Sequence, residues 1–385
     1  MNHKKEILFQ YINQHQEEYK TIAKEIFARP ETSNHEYFAS GLLSDKLEEH
    51  GFEVTRDVAG HPTGFTAIKR SGKEGPTLAF LAEYDALAGL GHGCGHNLIG
   101  TISTFSAIAL SKQLEDLGGE IRVYGTPGEE GGENGSAKES FVVKGYFDDV
   151  DIALQVHPGT VNTLTPTSLA LDPVDIEFFG KAAHAGAAPE KGINALDALI
   201  LTYNGINALR QHLTSDVKIH GIILDGGTAP NTVPDYTRGR FYLRGATRQK
   251  VNEVYNKVEK IAEGAALATG CTYKMGLFQN KVDNIVPNEK LDSVYKETLE
   301  ELGIEWQDEK NFPSTDAGNV SQVIPLLHPI FKITDQELPL HSEGFLQVCG
   351  SEAGIGKVEE GTKLLAYTGL KLLADPNLVE QIKSK

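Results

Sequence analysis

Six residues, Thr77-Leu78-Ala79-Phe80-Leu81-Ala82, limit the fold more than any other stretch of the chain. Apolar almost throughout, they read as a strand buried on both faces, and such strands belong to parallel sheets covered by helices. Asp85 and a glycine-rich loop, Gly91-His92-Gly93-Cys94-Gly95-His96-Asn97, follow just beyond the strand's carboxyl end, where open α/β sheets place their sites. Helical periodicity is expected over Ile7–Ala28, stopped before Pro30, and over Phe38–His50, ended by Gly51. Strands are expected at Phe52–Val58, Gly64–Arg70, Glu120–Gly125 and Asp151–Val156, with helices over Asn97–Gln113 and around Ala137–Lys144. That alternation predicts an α/β sheet.

Near Asp172 the pattern changes. Strands at Val174–Phe179, Ile219–Leu224, Arg238–Leu243 and Thr272–Leu277 are interleaved with helices over Asn194–His212 and Gln249–Ala268. This order fits a ferredoxin-like β-α-β-β-α-β unit of about 110 residues. Helical character resumes over Asn288–Leu302, and the chain is expected to end with a helix over Glu359–Ala374. The expected organisation is therefore an outer domain of residues 1–171 and 285–385, interrupted by an inserted domain of residues 172–284.

The chemistry sits in the loops. Cys94 and His96 offer a sulfur and a nitrogen two residues apart, a borderline-soft pair suited to zinc-like metals. Glu129-Glu130 follows a buried strand between glycines; one carboxylate can bind metal while its neighbour takes a proton from water. His157 ends an apolar strand, and His341 lies in Leu338-Pro339-Leu340-His341-Ser342. Each is ordinary alone; with Cys94, His96 and Glu130 they complete a ligand set for a metal-centred hydrolase. His184, among small residues in Gly180-Lys181-Ala182-Ala183-His184-Ala185-Gly186, suits a contact with substrate. The chain has no Walker motif, no Cys-x-x-Cys and no Gly-x-Ser-x-Gly elbow.

Composition excludes further classes. A formal charge of −17 argues against a nucleic-acid footprint and against anionic membranes. Three scattered cysteines cannot form a disulfide framework, and a ligating thiolate at Cys94 fits a reducing compartment. The first twenty residues lack the apolar core of a signal peptide, so a cytoplasmic location is expected.

Glu83-Tyr84-Asp85-Ala86-Leu87, Gly93 to Thr101, Glu129-Glu130-Gly131-Gly132-Glu133-Asn134-Gly135 and Ser314-Thr315-Asp316-Ala317-Gly318-Asn319 occur in the order seen in the M20 family of metallopeptidases. Over nearly its whole length the chain resembles that family, and within it the amidohydrolase branch. It is similar to the HmrA-type amidohydrolases and, more distantly, to β-alanyl-lysine dipeptidase and the aminobenzoyl-glutamate hydrolases.

The resemblance implies a metal-dependent exopeptidase-like catalytic domain with an inserted lid and dimerisation domain. It implies Cys94, His96, Glu130, His157 and His341 as ligands of two divalent ions per subunit, commonly zinc or manganese. Glu129 matches the general base. His184 matches a lid histidine that reaches the neighbouring subunit's site, and Asn231 and Arg244 match positions gripping the substrate's carboxylate end. Two departures stand out: Glu83-Tyr84-Asp85 replaces the His-x-Asp of the aminopeptidase branch, and Asn97 stands where aspartate often follows Cys-Gly-His. Asp85 is then expected to orient a ligand rather than to bind metal.

Hydrolysis of the amide bond of a dipeptide or N-acyl amino acid is the expected activity, in a homodimer or homotetramer. An aminobenzoyl-glutamate amidase or aminoacylase is the alternative, and a non-catalytic metal- or peptide-binding protein is the rival of another class.

Overall fold

The computed structural model describes residues 1–308 and 311–384. Two compact units divide the chain: Met1–Thr167 with Ile285–Lys385, and Ser168–Asn284.

The first unit is built on a six-stranded sheet in the order Glu53–Val58, His61–Arg70, Glu120–Gly125, Thr77–Ala82, Ile152–Leu154, Leu326–Leu327. The first two strands pair antiparallel, and His61–Arg70 is antiparallel to Glu120–Gly125; the remaining four run parallel. The sheet is therefore mixed, with its parallel half carrying the loops of interest. Thr77–Ala82 lies between two parallel neighbours, and its side chains alternate between two cores. Leu78, Phe80 and Ala82 join Phe105, Leu110 and Leu365 on one face, while Ala79 and Leu81 join Tyr124, Phe141 and Ala153 on the other. Every one of these is at most 1% exposed. That two-sided burial is why the strand carries no polar face; fully burying each large side chain contributes about 1.5–3 kcal/mol.

The helix after the glycine loop runs from His96 to Ser111, one residue earlier than its periodicity suggested, and is buried along its whole length. It packs against Val358–Ala374 and Asn2–Ala28, as a helix apolar on all sides must. The expected strand Asp151–Val156 is shorter: it stops at Leu154 and resumes as His157–Gly159, paired parallel with Ile330–Lys332. Pro329 interrupts the partner segment there, and a proline has no amide to give the ladder. Nor is Glu359–Ala374 the last helix. Asp375 accepts from the Leu378 amide and caps a further helix, Pro376–Lys383, with proline at its first position.

The second unit follows β-α-β-β-α-β order: Ala170–Phe179, Ala195–Arg210, Lys218–Asp225, Tyr236–Gly245, Arg248–Thr269, Thr272–Leu277. Its antiparallel sheet is ordered Thr272–Leu277, Ala170–Phe179, Tyr236–Gly245, Lys218–Asp225. Asn194 and Thr247 cap the two helices through their side-chain oxygens. Val174, Ile176, Phe178, Leu199, Phe241 and Val258 form its core. Lys218–Asp225 is an edge strand, and Ile222, Ile223 and Leu224 on it are exposed.

Candidate metal centre

Three parallel strands deliver the centre's residues. Thr77–Ala82 leads into Glu83 and Asp85, Glu120–Gly125 into Glu129 and Glu130, and Ile152–Leu154 into His157. Because these strands are parallel neighbours, their carboxyl ends share one edge of the sheet.

A left-handed turn brings Cys94 and His96 there. Gly95 is left-handed (φ 78°), and a Cβ on it would come within 2.9 Å of the Pro158 ring. Only glycine fits such a turn at no steric cost. The Glu129-Glu130 loop is likewise wound through left-handed residues, among them Gly128, Gly131, Asn134 and Ser136. Glu36, fully buried, accepts from the Gly128 amide (3.0 Å) and the Thr63 hydroxyl (2.6 Å), while Asn34 donates to the Glu133 and Asn134 carbonyls. These clamps went unseen in the sequence because the partners lie far apart along the chain.

The donor atoms converge. Cys94 Sγ is 3.5 Å from His157 Nε2, whose other ring nitrogen lies 2.8 Å from the Pro158 carbonyl. His96 Nδ1 lies 2.9 Å from Asp85 Oδ1, and Asp85 Oδ2 accepts from the Glu130 amide at 2.9 Å. That leaves His96 Nε2 facing Glu83 Oε2 (3.6 Å), Glu130 Oε1 (3.8 Å) and Glu129 Oε2 (3.9 Å). Glu130 Oε2 reaches His341 Nε2 at 3.3 Å. His341 is half exposed and left-handed (φ 62°), a conformation costing a non-glycine residue about 1–3 kcal/mol. Its amide donates to the Gly93 carbonyl at 3.0 Å, tying the loop of His341 to the loop of Cys94.

Three overlapping donor groups result: Cys94 with His96 and His157, Cys94 with Glu130 and His341, and His96 with Glu129 and Glu130. Within each group the donor atoms lie within 4.8 Å of one another. Two ligands at tetrahedral zinc distances are separated by roughly 3.3–3.6 Å, the range in which several of these pairs fall. His96 Nε2 and Glu130 Oε1 are buried without a hydrogen-bond partner among the described residues. Orphaned acceptors of that kind fit a cation.

Burial and mutual charge dominate the electrostatics among the protein groups. Burial, then the charges of Glu83 and Glu130, raise Glu129 well above the ordinary carboxylate value. Burial, with Glu130 adding, raises the Cys94 thiol well above its usual range. Burial and His328 lower His157 to about 3, which keeps its ring neutral, the form that binds metal. A divalent ion reverses the pressure on the thiol and carboxylates.

Glu83 and Lys138 were not read as site residues from the sequence. Both are fully buried, 2.6 Å apart, and Lys138 also lies 2.6 Å from Asp316 Oδ1 and donates its amide to Asp316 Oδ2. The charged residues flanking the Glu129 loop gave no local sign of this pairing. In the second unit, His184 is exposed and bridges to Thr232, with the Ala185 amide donating to Asn231. Arg244 is half-buried beside His220 (3.3 Å).

Residues 173–269 match the M20 peptidase dimerisation domain. The chain is similar to the Xaa-Arg dipeptidase of Mus musculus, 35% identical over 94% of this chain and 88% of that protein. It is 40% identical to one of the two p-aminobenzoyl-glutamate hydrolase polypeptides of Escherichia coli, over 76% of this chain and 64% of that one. Among solved structures, a putative aminohydrolase from methicillin-resistant Staphylococcus aureus superposes with a TM-score of 0.77 at 20% identity, covering 97% of this chain and all of the other. The YXEP protein of Bacillus subtilis, described as a dinuclear metal binding peptidase from the M20 family, superposes with a TM-score of 0.63 at 19% identity, covering 92% and 99%.

Proposed function

The chain belongs to the M20 family of metallopeptidases, and on that premise we propose that it hydrolyses the amide bond of small dipeptides or N-acyl amino acids. The observation that carries this reading is the sharing of Cys94 between two donor groups beside the carboxylate of Glu129. Cys94, His96 and His157 would hold one divalent ion, and Cys94, Glu130 and His341 a second. Zinc or manganese suits these donors. Divalent ions there supply Lewis acidity to the scissile carbonyl and make water a nucleophile near neutral pH.

The chain's own residues do the rest. Asp85 fixes the His96 ring and the Glu130 backbone, so both donors stay aimed when substrate enters. Glu129 takes a proton from the attacking water and delivers it to the departing nitrogen. His184 of a neighbouring subunit holds the substrate carbonyl oxygen, and Asn231 with Arg244 holds the carboxylate end.

Assembly is proposed as a homodimer formed through Lys218–Asp225. That strand leaves one edge unpaired, with Ile222 59% exposed on it and Ile200 and Leu201 exposed on the helix that precedes it in the chain. Long apolar edges of this kind are pairing surfaces. A cytoplasmic location agrees with the unpaired, buried Cys94 and Cys349. Among the described residues no helix is long and apolar enough to cross a membrane.

A second reading, hydrolysis of an aminobenzoyl-glutamate-type amide, is favoured by the 40% identity to a hydrolase of that name. One experiment separates them: metal content per subunit, with hydrolysis of a dipeptide, N-acyl-amino-acid and aminobenzoyl-glutamate panel with and without chelator. Chelator-sensitive cleavage of dipeptides supports the first reading, and preference for aminobenzoyl-glutamate the second. Absence of bound metal after incubation with zinc or manganese overturns both.

A further inference from the structure

Resting on the metal-dependent reading above, we propose that Glu83 is a metal ligand of this centre, binding through Oε2 the same ion that takes His96 Nε2. Four observations carry it. Glu83 is fully buried, and its two oxygens have different surroundings. Oε1 is ion-paired with the Lys138 ammonium at 2.6 Å, whereas Oε2 faces His96 Nε2 at 3.6 Å; neither oxygen accepts a hydrogen bond among the described residues. That separation is what two donors about 2.0–2.2 Å from a common ion present. Finally, His96 Nε2 is itself a buried ring nitrogen without a hydrogen-bond partner among the described residues, while Nδ1 is engaged by Asp85.

Lys138 is the positioning residue in this arrangement. It is fully buried and lies between two carboxylates, 2.6 Å from Glu83 and 2.6 Å from Asp316. Asp316 accepts from both the ammonium and the backbone amide of Lys138, which fixes where the lysine begins and ends. The ammonium therefore holds one Glu83 oxygen and leaves the other turned toward His96.

If Glu83 served only to pair a buried lysine, its charge would matter for stability and not for metal. Glu83→Gln separates these roles, because the amide oxygen can still accept from Lys138 while the charge is gone. Both proteins are stripped with chelator and titrated with manganese by calorimetry and with cobalt by visible absorption, with fold checked by circular dichroism. The expected result is a folded variant whose affinity for one ion falls by more than the roughly 10–100-fold that losing an outer-shell partner costs, with a changed cobalt spectrum. Wild-type stoichiometry, affinity and spectrum in the variant overturn the proposal. Should Glu83→Gln misfold, Glu83→Asp keeps the charge but withdraws the oxygens by ~1.5 Å, one C–C bond, and is expected to show the same loss; unchanged affinity there overturns the proposal equally. A wild-type protein that binds neither ion overturns the metal-dependent reading itself, which is a different failure from an unaltered variant.

Discussion

Asp85 and His96 are both shut off from solvent, with carboxylate oxygen and ring nitrogen 2.9 Å apart. The pair fixes which nitrogen of His96 looks into the centre. Because the second Asp85 oxygen holds the Glu130 amide, one carboxylate aligns donors from two loops. Asp85→Asn is expected to lower metal affinity about 10–100-fold without removing a ligand. Equilibrium dialysis against a graded chelator measures this, and an unchanged affinity would refute the orienting role.

Glu129 lies beside the donors without being needed to complete either of the groups that share Cys94. Glu129→Gln is expected to lower kcat by roughly 10²–10⁴-fold while leaving metal content at the wild-type level. Steady-state kinetics alongside elemental analysis tests both halves. Loss of metal in parallel with activity would make Glu129 a ligand instead of a base.

Asp292, which belongs to none of the donor groups, is buried and accepts from both the amide and hydroxyl of Thr165. Burial raises its carboxyl to about 6, against which the Thr165 hydrogen bonds act. A carboxyl raised on folding stabilises the native state while protonated. That contribution is complete below the unfolded value of about 3.9 and is lost as pH rises through about 6. Asp292→Asn keeps the acceptor without the charge. Its Tm relative to wild type is expected to climb between pH 4 and pH 7, and a difference independent of pH would contradict the assignment.

The exposed edge strand gives a prediction independent of catalysis. Ile223→Lys places a charge on the unpaired edge, a device that discourages strand pairing. Sedimentation velocity is expected to show a smaller species for the variant than for the wild type. A variant that sediments as the wild type would move the interface elsewhere.

How much of this was legible in the sequence depends on the range of the signal. Thr77–Ala82 announced a strand covered on both faces because burial on two sides leaves five consecutive apolar residues after Thr77. The four strands and two helices of the inserted unit could be ordered because each is long enough to show its period. Leu326–Leu327 and Ile330–Lys332, at two and three residues, are too short for that. The helix Pro376–Lys383 did carry a signal, an aspartate followed by proline, which went unused. Lys138 received no reading as a site residue; its partners are 55 and 178 positions away (138 − 83 and 316 − 138), and nothing local records that water is excluded. The left-handed backbone of His341 was equally silent, since no glycine or asparagine stands there or beside it to mark such a turn.

The interruption of one unit by another bears on the order in which the molecule matures. Ser168–Asn284 closes its core from residues contiguous in the chain, so it can acquire its structure as soon as it leaves the ribosome. The surrounding unit cannot, because its main core joins Leu8 and Ile12 to Leu365, Leu370 and Ile382. Its early strands and helices must wait, with much apolar surface uncovered, until the last helices are made. An assembled inner unit beside an unfinished outer one is therefore the natural intermediate of synthesis, and the carboxyl-terminal segment is the part whose arrival ends the chain's exposure to aggregation and proteolysis.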